Sequence, residues 1–228
     1  MTKISIGLGA VLVAVAIAFT IVAATLPSEW HVERATVVDA SPAAIFAWLN
    51  DLHRWPEWSP WNDHRDPTLK QSFAGPERGA GAAMRWQAEA IGSGRLVLTT
   101  SLPYEKVGYD LFLDDAMLPA KGSITMVSQA TGTLVTWSED GDMGANLFGR
   151  FAIDEMDETL GPDLEAALGA LKNKVELAEK DAGARREEPQ PTADGAAADD
   201  TVPDAATAHA AAAAPAPTDD PPAPTDAP

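Results

Sequence analysis

The side chains that could carry chemistry fall in a few short stretches. Asp63-His64-Arg65-Asp66 sets a histidine among carboxylates, the ingredients of a metal site or of a His acid/base oriented by Asp66. Next-door polar residues before Pro67 are also the ordinary content of a solvated turn, and that reading carries more weight. Glu139, Asp140 and Asp142 form a second acidic group, read as surface. Gly79-x-Gly81 and Gly92-x-Gly94 open no helix, so they are read as hairpin turns and not as phosphate cradles. Arg85 and Arg95 would meet an anionic head group only if turned inward, and outward is the expected direction. His31, in a β-branched stretch, is read as packing or surface. There is no Gly-x-Ser-x-Gly elbow, no His-Glu-x-x-His pair and no cysteine. No catalytic residue, metal site or cofactor is therefore assigned.

What remains is aromatic. Residues 41–61 hold four of the seven tryptophans, Trp48, Trp55, Trp58 and Trp61. Rings of that size are either buried or bind something. Pro56 and Pro60 break the segment after a helix begun by the Ser41 cap with Pro42 at its first position. Trp58 and Trp61 are expected either to gate an apolar cavity or to seal one end of a core.

The elements that would position these rings follow from hydrophobic period. Residues 30–39 are β-branched and bounded by Pro27 and Ser41-Pro42, which predicts a strand. Residues 45, 48, 49 and 52 share one face of a short helix. From residue 69, runs at 69–73, 82–90, 95–102, 106–113, 122–130 and 133–140 alternate with Gly- and Pro-containing turns, the pattern of an antiparallel meander. Val107, Tyr109, Leu111 and Leu113 share a face, as do Met84 with Trp86 and Val135 with Trp137. That apolar face needs a cover. Residues 147–179 supply it, with Leu164, Leu168, Leu171 and Val175 as a helical stripe and a kink or restart expected at Gly161-Pro162.

Outside this core lie two further segments. Residues 4–26 carry no charge and, at about 1.5 Å per residue, are long enough as a helix to cross a hydrocarbon core of about 30 Å. A signal peptide with Ala23-Ala24 near its cleavage site is the alternative, but its apolar region is ordinarily about 7–15 residues. An anchor over residues 1–28 is expected. Lys3 before it, with Glu29, Glu33 and Arg34 after it, puts the domain on the non-cytoplasmic (periplasmic or extracellular) side of a single-pass arrangement. Gly7 and Gly9 lack the four-residue spacing of a close helix pair, so no dimer is inferred. Residues 181–228 are rich in Ala, Pro and Asp and are read as a disordered acidic tail. The net charge of −18 repels phosphate backbones, so nucleic acid is not an expected partner.

This order of elements, with Val37-Val38-Asp39-Ala40-Ser41-Pro42, Trp55-Pro56-Glu57-Trp58-Ser59-Pro60-Trp61, Phe73-Ala74-Gly75-Pro76 and Gly132-Thr133-Leu134-Val135-Thr136-Trp137, resembles the START-like (SRPBCC) superfamily and its polyketide cyclase/dehydrase-like members. The resemblance covers residues 30–178. It implies an α+β helix-grip domain over 29–180, a curved antiparallel sheet of about seven strands around a long C-terminal helix, here preceded by one transmembrane helix. It also implies an apolar cavity between sheet and helix, with Trp58, Trp61, Met84, Trp86, Leu98, Tyr109 and Trp137 as candidate lining. The expected partner is a hydrophobic small molecule or lipid, bound by a membrane-anchored protein. A cyclase/dehydratase-like enzyme using the same cavity and a structural or adaptor domain with a filled core are the alternatives.

Overall fold

The computed structural model describes residues 2–113 and 118–187. The expected disordered tail lies, from residue 188 on, outside the described residues. Helix α1 (Thr2–Thr25) leads into strand β1 (Glu29–Val38) and helix α2 (Pro42–Leu49). A 3-10 turn (Leu52–Glu57) precedes β2 (Lys70–Ala74), β3 (Ala83–Gln87), β4 (Ser93–Leu102), β5 (Lys106–Leu113), β6 (Leu118–Gln129) and β7 (Gly132–Asp142). A second 3-10 turn (Gly149–Glu155) opens helix α3 (Met156–Glu187). All strands pair antiparallel in one sheet, β1-β7-β6-β5-β4-β3-β2.

Local chemistry explains the boundaries. Ser41 accepts a hydrogen bond from Ala44 N–H and caps α2, with Pro42 in its first turn, as the sequence predicts. Asp51 caps the following 3-10 turn through His53 N–H. Gly75, Gly79, Gly81 and Gly92 all turn the chain at positive φ, in the loops their spacing predicts.

One face of the sheet is covered by α2, the tryptophan segment and α3. Leu164, Leu168, Leu171 and Val175 are all buried, as their period requires. Polar links fix α3 to the end of β1: Lys172 Nζ donates to Val37 O at 2.7 Å, and Asp39 N–H donates to Glu176 Oε1 at 2.8 Å. Arg34 on β1 reaches Asp157 at 2.7 Å and Glu165 at 3.1 Å on α3.

Three expectations are corrected. The chain does not restart at Gly161-Pro162: α3 runs through Pro162 as one helix. The helix also continues to Glu187, past the boundary expected at 180. Not all of residues 147–179 covers the sheet, because Phe148 and Phe151 do not face it. They lie in the second 3-10 turn, 78% and 46% exposed, and pack on Phe19 of α1 with ring centroids 4.8 and 5.2 Å away. Arg150, between them, donates to the carbonyls of Ala24 and Leu26 where α1 ends. Among the described residues no helix is long and apolar enough to cross a membrane.

Candidate functional site

The tryptophan segment folds inward. Trp55 lies at the centre of an aromatic cluster, with ring centroids 4.9 Å from Trp58, 6.2 Å from Trp61, 5.5 Å from Tyr109 and 6.4 Å from Trp137. Its indole N–H donates to Leu49 O at 2.9 Å. Trp58 is 2% exposed and packs on Trp137 at 5.5 Å. Trp61 packs on Trp86 at 5.0 Å. Sheet, 3-10 turn and loop thus meet in one aromatic core whose burial supplies much of the hydrophobic stabilisation.

Beside this core is a cavity of about 380 Å³ between the tryptophan loop, the sheet and the start of α3. Its walls are mostly apolar: Trp30, Trp61, Ile91, Leu111, Met156 and Leu160 are among them. Of the expected lining residues, Trp61 borders it. Trp58, Met84, Trp86, Leu98, Tyr109 and Trp137 are buried in the aromatic and aliphatic core. A larger depression, about 510 Å³, lies beyond Trp30, where the charged side chains Asp110, Lys121 and Asp140 stand beside Phe112, Pro119 and Ala120, so its walls are mixed.

The cavity holds one buried acid. Glu139, expected at the surface, is 5% exposed and lines it. The reason is strand parity. Strand β7 runs to Asp142, so Val135, Trp137 and Glu139 share the covered face. Alternation could have found Glu139, because it continues the Val135–Trp137 period; its charge concealed it.

Tyr109, Gly122 and Glu139 are successive partners across β5, β6 and β7. Gly122 leaves the gap that lets the phenol lie over β6. A Cβ there would fall 1.8 Å from Tyr109 Cζ. Through this gap Tyr109 O–H donates to Glu139 Oε1 at 2.5 Å, while Trp137 Nε1–H donates to the Tyr109 oxygen at 2.8 Å. Burial pushes the Glu139 carboxyl up to about 7. The negative charges of Asp140 and Asp163 add to the rise, and the Tyr109 bond opposes it. Burial, followed by the Glu139 charge, raises the Tyr109 phenol well above its ordinary value.

The remaining candidates separate. Asp66 is buried, and its carboxylate is a structural staple. It accepts from Thr68 Oγ1 at 2.6 Å, from Thr68 N–H at 2.9 Å and, on its other oxygen, from Ala90 N–H at 2.5 Å. These bonds, the Thr68 hydroxyl first, hold its carboxyl down to about 2. His64 is exposed and forms no pair with it. Arg65 instead bridges to Asp163 on α3 at 2.8 Å, across the cavity mouth. His31 is exposed and bonded to Asp140 at 2.7 Å. Arg85 is exposed, and Arg95 lies over the Phe112 ring on the outer face. No group of His, Asp and Glu side chains among the described residues is arranged to hold a metal.

An antiparallel sheet closed by a long C-terminal helix, with an apolar cavity between them, defines a helix-grip protein. Residues 29–176 match the family described as polyketide cyclase / dehydrase and lipid transport, and the chain belongs to that family. Among solved structures, a protein of unknown function from Staphylococcus aureus aligns with TM-score 0.53 and 12% identity over 67% of this chain and 96% of that one. The di-domain ARO/CYC protein BexL of the BE-7585A biosynthetic pathway aligns with TM-score 0.50 and 15% identity over 65% of this chain and 50% of that one. At these identities the likeness is one of fold. No curated protein matches the chain.

Proposed function

We propose that this is a hydrophobic-ligand-binding protein that takes a lipid- or polyketide-like molecule between its sheet and α3 and is tethered to a membrane by residues 4–26. The observation that carries the binding reading is the cavity of about 380 Å³, which lies within the about 300–1,000 Å³ of small-molecule pockets and has mostly apolar walls. The mechanism is shielding: apolar ligand surface leaves water, worth about 25 cal/mol per Å². The tether rests on the uncharged run at 4–26 and on the exposure of Val11, Leu12, Val15, Ile17 and Ile21 along α1, an apolar surface that water does not favour. Lys3 ahead of the run supports a domain on the non-cytoplasmic side.

A second reading, a cyclase/dehydratase-like enzyme, is favoured by one observation. Glu139 gives the cavity a titratable acid, which proton-transfer chemistry requires. The test of the binding reading is native mass spectrometry of the full chain released from purified membranes. An apolar mass that departs on denaturation is expected. A chain that neither carries nor takes up any apolar ligand across a broad panel overturns it. Carbonate-resistant membrane association and protease access from the outer side test the tether and its orientation.

A further inference from the structure

The Glu139 carboxyl is unusual in what surrounds it. Oε1 is engaged by Tyr109, while the other oxygen has no hydrogen-bond partner among the described residues. No cation among the described residues is paired with it. Arg65, the cationic residue lining the cavity, is bound to Asp163. Arg34, on the neighbouring β1, turns to Asp157 and Glu165 of α3. From β7 and α3 the charged groups acting on Glu139 are Asp140 and Asp163, both acidic. From β5 comes the Tyr109 hydroxyl, and at the β6 position opposite stands Gly122, with no side chain. A buried carboxylate without a counter-cation is costly, and an occupant bringing a positive charge removes that cost. The indole rings of Trp30 and Trp61 line the same cavity, and aromatic faces attract ammonium groups.

We propose that the cavity selects a lipophilic amine, an apolar chain ending in an ammonium group that ion-pairs with Glu139 among the Trp30 and Trp61 rings. This rests on the hydrophobic-ligand reading and specifies its ligand class. Binding is a non-covalent exchange in which the ammonium donates to the open Glu139 oxygen while the chain covers Leu111, Met156 and Leu160. Below neutrality the carboxyl holds its own proton and the ion pair is lost, so affinity for the amine rises with pH.

The test compares decylamine with 1-decanol, using the full chain in lipid nanodiscs, with tryptophan fluorescence as readout and empty nanodiscs subtracted. Decylamine is expected to bind roughly 10- to 100-fold tighter than decanol at pH 8, the range for a hydrogen bond to a charged group. The preference should shrink between pH 8 and pH 5.5. Glu139→Gln should keep decanol binding and lose both the preference and its pH dependence. Equal affinity for the two ligands, or an amine preference that survives Glu139→Gln, overturns the amine proposal and leaves the hydrophobic-ligand reading standing. Failure of both ligands to bind overturns the amine proposal, and the broad apolar panel then decides the hydrophobic-ligand reading. Should Glu139→Gln fail to fold, the pH series on the unmodified chain decides: a preference that does not shrink toward pH 5.5 overturns the amine proposal.

Discussion

The row Tyr109–Gly122–Glu139 makes a sharp prediction about Gly122→Ala. A Cβ at this position would lie 1.8 Å from Tyr109 Cζ and 2.2 Å from its hydroxyl oxygen. The ring cannot yield by a few tenths of an ångström, because the Trp55 ring meets it edge-on at 5.5 Å and Trp137 binds its oxygen. The phenol must therefore leave its slot. Forcing atoms into a packed core costs about 1–3 kcal/mol. Losing the Tyr109 bond to the buried Glu139 adds about 1.5–3 kcal/mol. The expected loss of unfolding free energy is thus about 2.5–6 kcal/mol, read by denaturant unfolding with an unchanged slope. Gly169→Ala is the control. Its new Cβ meets nothing within 4 Å, and it replaces a glycine inside α3, so a gain of about 0.5–1 kcal/mol is expected. Adding Tyr109→Phe to Gly122→Ala should recover little, since the clash is with the ring. A Gly122→Ala protein within about 0.5 kcal/mol of the parent would refute the placement of Tyr109 over β6.

Other consequences concern charge and packing. Glu139 holds its proton up to about pH 7 when folded but releases it near its ordinary value when unfolded, so its contribution is complete below that value and is lost as pH rises to about 7. Stability should fall by roughly 3 kcal/mol across that window, and Glu139→Gln should flatten the profile. Asp66 acts in the opposite sense and in a lower window: its contribution is present above its ordinary carboxylate value and disappears as pH falls toward 2, so Asp66→Asn should lower Tm at neutral pH and weaken the acid limb of the unfolding profile. The Trp58 indole N–H is buried without a hydrogen-bond partner among the described residues, whereas that of Trp55 serves Leu49 O. Thermal unfolding should therefore show Trp58→Phe less damaging than Trp55→Phe, by about 1 kcal/mol.

How much of this was legible in the chain depends on the range of the information. The Leu164–Leu168–Leu171–Val175 stripe, the Ser41-Pro42 helix start and the Gly75, Gly79 and Gly92 turns are set by local period and backbone preference, and the structure has them in place. The burial of Met84, Trp86, Tyr109 and Trp137 follows from alternation along single strands. Which of them border a cavity does not follow, because the gap arises where the tryptophan loop, the sheet and the start of α3 diverge. It recruits Ile91 and Leu160 from parts of the chain far apart in sequence. Glu139 was hidden for a different reason. Its parity pointed inward, but its charge pointed outward, and the conflict resolves only once Gly122 on β6 lets Tyr109 reach it. Phe148 and Phe151 look like helix-face residues in sequence, but the 3-10 turn that holds them presents them to Phe19 of α1.

The central claim is that the space between Trp61, the sheet and α3 is a ligand site. Leu160 lines that space and is only partly buried, so Leu160→Trp would fill it without breaking the core. Native mass spectrometry of the parent chain and Leu160→Trp, purified side by side from membranes, tests the claim directly. An apolar ligand is expected on the parent and none on the variant, with both folded. Equal ligand load on the two proteins, or no load on either after exposure to a broad lipid panel, would contradict it.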